Sequence, residues 1–232
     1  MSKHTIKNSQ KIKKIQPPRG LVIVYTGHGK GKTTAAMGMA FRAVGAGLKV
    51  LVLQFIKGEW PSGEREVAGM LQSLGSEFLP LEGGGEEGVK LAPSPTPSPS
   101  HQGRGIERVK SLGLIDFRTG GRGFIKILGD QKPFAVHRAA ARALYNDAMS
   151  ALQNGQYNLV VLDELISAWE ENLLSKQDII KLIKAKPPMV HLVMTGHDAP
   201  QEIVALADLV TEMKKIKHPF DQGLLAQKGI DF

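Results

Sequence analysis

Short apolar runs bounded by glycine alternate with longer helical patterns from residue 20 onward. This alternation is typical of βαβ units and of a mainly parallel sheet. The runs predict strands at 21–26, 50–55, 159–162, 190–195 and about 209–213. The periodic segments predict helices at 32–44, 64–74, from 133 or 134 to 153, 175–184 and 200–207, with a capping box formed by Ser175 and Asp178. Because valine and leucine are nearly continuous in the strands, we expect helices on both faces of the sheet.

One segment, from about 82 to 113, interrupts this alternation. It contains glycine and glutamate, then prolines alternating with serine and threonine, then glycine and arginine. Such a sequence buries too little apolar area to offset its ordering entropy, so we predict a disordered surface insertion. A Ser-Leu-Gly motif stands on each side, at 73–75 and 111–113, and either copy could supply the next strand. We favour the second copy, because Phe117 leads directly into Gly120 and Gly121.

Composition and charge restrict the class of protein. The chain has 232 residues, 42% of them hydrophobic, which suits one α/β domain over 20–232. We expect neither a transmembrane helix nor a secretory signal, since no apolar run approaches the required length. The absence of cysteine excludes disulfides and thiol nucleophiles and fits a reducing compartment, so we expect a cytoplasmic protein.

The net charge of +8 is concentrated at the amino terminus. Six of the eight excess positive charges lie in residues 1–19, which contain no acidic residue. We predict that this basic tail is either flexible or ordered over a site. Because the rest of the chain is nearly neutral, we expect neither nucleic acid nor a membrane as a partner.

The first predicted strand runs into a glycine-rich loop and an alanine-rich helix, which is the context of a phosphate-binding P-loop. The segment consists of Thr26, Gly27, His28, Gly29, Lys30, Gly31, Lys32, Thr33 and Thr34. Glycine lets backbone N–H groups approach anionic oxygens closely, and we expect Lys32 to give the phosphates a positive charge and Thr33 to give Mg²⁺ a hydroxyl. The sequence therefore predicts a P-loop NTPase-like α/β fold. The usual spacing needs glycine at position 26, so this loop is one residue short, which argues against the best-known P-loop subfamilies.

A P-loop enzyme also needs a carboxylate at the end of another buried strand, because Mg²⁺ takes further oxygen ligands. The strand predicted at 159–162 ends in Asp163 and Glu164. We therefore predict a site for Mg²⁺, or for Mn²⁺, at Thr33, Glu164 and Asp163. An acidic N-cap for the following helix is the alternative, and one acid could cap while the other serves the metal.

Motifs at both ends of the chain have a familiar form. They are GLVIVYTGHGKGKTTAAMG at 20–38, RAVG at 42–45, VLQFIKG at 52–58, WPSGE at 60–64, KHPFDQG at 217–223 and AQKGIDF at 226–232. Together they resemble the corrinoid adenosyltransferases of the ATP:cob(I)alamin P-loop type, over 20–79 and 114–232.

This resemblance implies a reaction at carbon. The 5′-deoxyadenosyl group of the co-substrate ATP moves to the Co(I) centre of a reduced corrinoid, either cob(I)alamin or cob(I)yrinic acid a,c-diamide, and triphosphate is released. Co(I) is itself the nucleophile, so the protein holds the leaving group and aims C5′ without a general base. The resemblance further implies a reduced flavin or flavoprotein as electron donor and favours a homodimer.

The resemblance also assigns roles to single residues. Lys32, Thr33, Thr34 and the backbone of 27–31 match the triphosphate cradle, and Arg42 matches an arginine that reaches the same phosphates. Lys32 and Arg42 are thus the implied catalytic residues, and Thr33 and Glu164 match the Mg²⁺ ligands.

Two positions depart from the pattern of the family. Phe124 represents the aromatic position at the lower face of the corrinoid, where some members carry a second aromatic residue at the position of Lys126. His28 stands where relatives often carry asparagine.

His197 and His218 follow predicted strands, at the edge where ligands gather in open α/β sheets.

Two other functions are compatible with a P-loop. One is a kinase or ATPase that acts at the γ-phosphate, although no motif for an acceptor is evident. The other is a nucleotide-gated binding protein whose basic tail and insertion recruit partners.

Overall fold

Six parallel strands form the centre of the molecule in a computed structural model that describes residues 17–56, 58, 62–77, 113–121, 123 and 132–231. The predicted insertion, except Gly113, most of the predicted tail, Trp60 and Phe124 lie outside the described residues. The strands are β1 (Val22–Thr26), β2 (Val50–Gln54), β3 (Ile115–Thr119), β4 (Leu159–Asp163), β5 (His191–Thr195) and β6 (Leu209–Glu212). Their order in the sheet is β3-β2-β4-β5-β1-β6.

In the part of the chain that the structure describes, six helices surround this sheet. They are α1 (Lys32–Gly45), α2 (Gly63–Glu77), α3 (Phe134–Asn154), α4 (Leu165–Glu170), α5 (Lys176–Ala185) and α6 (Gln201–Leu206), followed by a 3₁₀ turn at Pro219–Gln222. The prediction of a mainly parallel α/β sheet is confirmed. The sequence pattern gave no bounds for α4, although the N-cap alternative assumes a helix after Glu164, and it did not indicate the 3₁₀ turn.

Alternate residues along the strands enter two separate cores. Leu51, Leu53, Val160 and Leu162 pack with residues of α3, α4, α5 and α6. Val50, Val52, Leu159 and Val161 pack on the opposite face with α1 and Ala68 of α2. Both faces are therefore covered, as the nearly continuous valine and leucine predicted.

The second Ser-Leu-Gly copy leads into the sheet, as predicted. Gly113 lies against the carbonyl of Leu48, its N–H donates to Val44 O at 2.9 Å, and β3 begins two residues later. The first copy lies inside α2, which continues to Glu77, three residues beyond the predicted end.

The chain enters the sheet at a fixed point. The guanidinium of Arg19 donates to Asp208 Oδ1 at 2.5 Å, and Asp208 Oδ2 accepts the N–H of Val22 at 2.8 Å. The end of the predicted tail thus contacts the start of β6. No helix in the described part of the chain combines the length and apolar character that a bilayer crossing requires.

Helix α5 begins with the predicted capping box. The Ser175 hydroxyl accepts the N–H of Asp178, and the Asp178 carboxylate accepts the N–H of Ser175. The same carboxylate accepts two hydrogen bonds from Arg142 of α3, at 2.9 and 3.0 Å. Arg142 holds the pKa of Asp178 well below its usual range, and the hydrogen bonds from Ser175 act in the same direction. One carboxylate therefore both starts α5 and joins it to α3.

We expect Asp178→Asn to lower the free energy of unfolding by about 1–3 kcal/mol at pH 7, because charged hydrogen bonds are lost. A depressed carboxyl pKa stabilises the fold above the unfolded-state pKa, near 4, and this contribution disappears as pH falls toward the folded-state pKa. Urea unfolding of the wild type and the variant between pH 7 and pH 3 should show the difference shrinking below about pH 4. A difference that does not change with pH would contradict this assignment.

Candidate active site

The carboxyl ends of four neighbouring strands place polar residues along one edge of the sheet. Thr26 ends β1, Gln54 ends β2, Asp163 ends β4 and Thr195 ends β5, and all four side chains are buried. Gln54 and Asp163 are direct partners in the register of β2 and β4. Ligands of parallel α/β sheets bind at this edge, and the glycine-rich loop also opens there.

The glycine-rich loop packs against the segments that follow β5 and β6. The N–H of Gly27 donates to His197 O and the N–H of Gly29 donates to Met213 O, both at 2.5 Å. A Cβ atom at either glycine would lie 2.6 Å from Met213 O, and Gly27 also has a φ of 98°. Only glycine fits this backbone without strain. Because these two amides bind protein carbonyls, the amides nearest the start of α1 are left to face an anion.

The Lys32 ammonium lies beneath the loop. Its Nζ donates to Gly27 O at 2.6 Å and to Gly29 O at 3.0 Å. Burial lowers the pKa of Lys32, while the carboxylates of Glu164 and Asp163 act in the opposite direction. The cation is therefore already held at the loop by weak neutral acceptors, from which it can turn to an anionic ligand.

Asp163 is the centre of a buried hydrogen-bond network. Its Oδ1 accepts from the Thr33 hydroxyl at 3.0 Å and from the Thr195 hydroxyl at 2.7 Å. Its Oδ2 accepts from Gln54 Nε2 at 3.0 Å. The structure thus joins Thr33 and Asp163, two of the three predicted metal-site residues. The roles of Gln54 and Thr195 were missed, although Gln54 belongs to the VLQFIKG motif.

Glu164 occupies the N-cap position of α4 without capping it through its side chain. Its backbone is left-handed, with a φ of 60°, and its N–H donates to the Thr195 hydroxyl at 2.8 Å. Its carboxylate instead accepts the Ser167 hydroxyl at 2.5 Å and lines the cavity beside the loop. The capping alternative therefore does not describe this side chain, which is left facing the site.

The donor set at this edge suits Mg²⁺. Thr33, Asp163 and Glu164 offer only hard oxygen atoms, and such atoms are the ligands that Mg²⁺ prefers. Across the described residues, no three His, Cys, Asp or Glu side chains form a group that could hold a metal by themselves. An ion here would complete its coordination with phosphate oxygens and water, as Mg²⁺ does in nucleotide sites.

A cavity of about 420 Å³ opens beside the loop, between α1, α2 and a turn at 228–231, the carboxyl-terminal turn. Its volume falls in the usual range for small-molecule sites. Its lining residues are Lys30, Gly31, Lys32, Thr33, Thr34, Phe41, Gly63, Glu64, Val67, Glu164, Gly229, Ile230 and Asp231. The lining therefore combines the cations and hydroxyls of the loop with apolar side chains of α1, α2 and the turn.

The carboxyl-terminal turn is attached to the loop by an ion pair between Lys30 and Asp231. Asp231 also accepts the N–H of Gln227 at 2.7 Å, which closes the turn on itself. No role was predicted for Asp231, although it belongs to the AQKGIDF motif. The structure brings this motif to the P-loop, about 200 residues away along the chain.

Comparison with known proteins identifies the family. The sequence profile of the ATP:corrinoid adenosyltransferase BtuR/CobO/CobP family matches residues 18–92 and 101–232. The chain belongs to this family. It is 32% identical to the corrinoid adenosyltransferase of Escherichia coli K12 over 222 residues, which cover 96% of this chain and 90% of the relative. It is 33% identical to the corrinoid adenosyltransferase CobA of Salmonella typhimurium LT2, with the same coverage. The corrinoid adenosyltransferase of Pseudomonas aeruginosa PAO1 is 32% identical, covering 96% of this chain and 89% of the relative.

The structure places two further predicted residues of this adenosyltransferase family member away from the centre of the cavity. Arg42 lies exposed in the last turn of α1. The ring of His28 stacks on the ring of His197, with centroids 5.4 Å apart, and its Nε2 lies 3.1 Å from Asp198 Oδ1. His197 thus reaches the loop, whereas His218 accepts the N–H of Phe220 at the start of the 3₁₀ turn. The nucleotide contacts of Arg42 and His28 remain predictions.

We expect Asp231→Asn to tighten binding of inorganic triphosphate about 2-fold to 10-fold, because a negative charge beside Lys30 is removed. The melting temperature should change little, since an ion pair that is in contact with solvent contributes at most about 1 kcal/mol. Isothermal titration calorimetry at two salt concentrations measures the effect, which should be smaller at high salt.

The matched control is Asp221→Asn. In the wild type, the Asp221 carboxylate pairs with Lys215 at 3.0 Å in the same carboxyl-terminal segment. Asp221 is not among the residues that line the cavity. The triphosphate affinity of this variant should equal that of the wild type. Equal affinities for all three proteins would mean that Asp231 does not influence the anion site.

Proposed function

We propose that this chain transfers the 5′-deoxyadenosyl group of ATP to the Co(I) centre of a reduced corrinoid, cob(I)alamin or cob(I)yrinic acid a,c-diamide, and releases triphosphate. The observation that carries the proposal is a cavity, in a member of this family, that is lined both by the P-loop and by apolar side chains. The P-loop suits a triphosphate, and the lining also includes Phe41, Val67 and Ile230. These apolar side chains suit the part of a substrate that is not phosphate.

The proposed step is a substitution at carbon. An electron pair of Co(I) forms the bond to C5′, the C5′–O bond breaks, and triphosphate leaves with that bonding pair. No proton is removed from the nucleophile, so the step needs no general base. The residues of the cavity then have three tasks, which are to bind the leaving group, to orient C5′ and to exclude water.

The positive charges around the loop suit a triphosphate leaving group. We assign Lys32 and the amides at the start of α1 to the phosphates, with Lys30 and Thr34 at the cavity wall. Arg42 follows Thr34 by eight residues, about 12 Å along the helix axis. Long helical side chains point back toward the amino terminus. This direction supports the catalytic role proposed for Arg42.

The divalent ion proposed here is Mg²⁺, with Mn²⁺ as a substitute. Thr33 and Glu164 would be its protein ligands, and Asp163 would support Thr33 through their hydrogen bond. The bound ion would neutralise the charge of the leaving group. The reduced flavin or flavoprotein donor, the homodimer, the role of Phe124 and the cytoplasmic location stay predictions from the sequence.

The identity of the phosphate product tests the function. Purified protein is incubated with MgATP and chemically reduced cobalamin, the corrinoid spectrum is followed, and the phosphate product is identified by ion chromatography. An adenosylated corrinoid with stoichiometric triphosphate supports the proposal. Formation of ADP and phosphate would support a kinase or ATPase, and ATP binding without any product would support a nucleotide-gated binding protein.

We expect Lys32→Ala to reduce triphosphate release at least about 100-fold, because the buried cation no longer stabilises the leaving group. Lys186→Ala is a matched control. Its ammonium also donates to backbone carbonyls, those of Gly20, Pro187 and Val190, and burial also lowers its pKa. It should lose stability but keep the turnover rate of the folded fraction. Near-normal turnover in folded Lys32→Ala would show that another cation holds the leaving group.

We expect Glu164→Gln to raise the Mg²⁺ concentration for half-maximal turnover about 10-fold or more, because a charged ligand becomes neutral. Glu171→Gln, an exposed acid at the end of α4, should leave this concentration unchanged. A normal Mg²⁺ titration for Glu164→Gln, with a shifted one for Asp163→Asn, would transfer the ligand role to Asp163.

A further inference from the structure

Gln54 is a buried polar residue whose side chain serves a carboxylate of the proposed site. It is 2% exposed at the end of β2, and its amide nitrogen donates to Asp163 Oδ2 at 3.0 Å. An ionised carboxylate only accepts hydrogen bonds, so the NH₂ group and not the carbonyl of the amide must face it. The orientation of the Gln54 side chain is therefore fixed by Asp163.

The main chain of the same residue holds a different loop. The amides of Gly120 and Gly121 both donate to Gln54 O at 3.3 Å, and the amide of Gly123 donates to Ile56 O at 3.3 Å. These residues follow β3 and lead toward Phe124, the residue predicted to meet the corrinoid. Gln54 thus contacts Asp163 of the nucleotide and metal site through its side chain, and it contacts the start of the loop after β3 through its backbone carbonyl.

The end of β2 is bonded both to β4 and to the loop after β3, so it has little freedom to move independently of either element. The N–H of Phe55 donates to Asp163 O at 3.0 Å, which adds a main-chain bond to the side-chain bond. On the other side, a Cβ atom on Gly120 would lie 2.5 Å from Leu144 Cγ, so the loop is packed tightly against α3. A shift of Asp163 is therefore transmitted to β2 and to the amides that β2 holds.

We propose that Gln54 is a positioning residue that couples occupancy of the nucleotide and metal site to the main-chain hydrogen bonds of Gly120, Gly121 and Gly123. The inference rests on the proposed function only for the identity of the second substrate. Binding of MgATP at Thr33 would change the hydrogen bond from Thr33 to Asp163, and Gln54 would follow the carboxylate. The loop is then fixed for the second substrate after the nucleotide has bound.

The chemistry of glutamine suits this task better than that of its alternatives. Lysine would neutralise Asp163 and weaken its attraction for a divalent ion. Glutamate would place two negative charges in contact, and leucine or methionine would remove the donor from Oδ2. A neutral donor keeps the charge of the carboxylate and fixes its direction.

Hydrogen exchange tests the coupling directly. In the wild type, we expect saturating MgATP to slow exchange of the peptide that contains residues 119–123 about 10-fold, measured by mass spectrometry. Gln54→Met keeps the length of the side chain but removes the donor. MgATP binding to this variant should weaken about 10-fold by calorimetry, and exchange of this peptide should no longer respond to saturating MgATP.

Thr195→Val is the matched control, because Thr195 donates to the same carboxylate at 2.7 Å from the opposite side. Thr195→Val should also weaken MgATP binding, but saturating MgATP should still slow hydrogen exchange of the peptide that contains residues 119–123. If Gln54→Met does not fold, Gln54→Asn, whose shorter amide does not reach Asp163, replaces it.

Two results would overturn the inference. One is a wild-type loop that does not respond to MgATP, and the other is a Gln54 variant whose loop responds as the wild type does. Failure of the proposed function has a different signature, since ADP in place of triphosphate would leave the MgATP-dependent exchange intact.

Discussion

The buried carboxylate of Asp163 is the constraint on which the site depends. Taking an ionised group out of water costs several kcal/mol unless donors compensate it. Here the donors come from three separate elements, which are α1 through Thr33, β2 through Gln54 and β5 through Thr195. They meet only when the parallel strands are in the observed register, because a slip of one residue would turn each side chain to the other face. The hydrogen bonds around Asp163 are therefore complete only when the sheet has folded in this register.

The loop is organised by protein contacts before any anion binds. Lys32 is held by loop carbonyls, and Gly27 and Gly29 fit closely against Met213. Such preorganisation lowers the entropy cost of binding, and it aims the remaining amides at one place. The short loop and its packing therefore suit an enzyme whose work is to hold a leaving group.

The carboxyl-terminal segment forms part of the site as well as the end of the chain. It supplies Met213 behind the loop and Asp231 beside Lys30, and its Ile230 lines the cavity. The segment after β6 follows the edge strand and places its motif opposite α2. Two motifs that are distant along the chain therefore meet across one cavity.

The sequence by itself determined the alternation of strands and helices, the P-loop, the acids after β4 and the family. Each of these depends on local pattern, such as apolar periodicity, glycine spacing or a capping box, which the chain carries without reference to its fold. The sequence also favoured the correct copy of the Ser-Leu-Gly motif for β3. Only the tertiary structure decided that Glu164 faces the cavity, that Gln54 and Thr195 hold Asp163, and that Asp231 meets Lys30. Those contacts join residues far apart along the chain, and their partners are chosen by strand order and register, which no local pattern specifies.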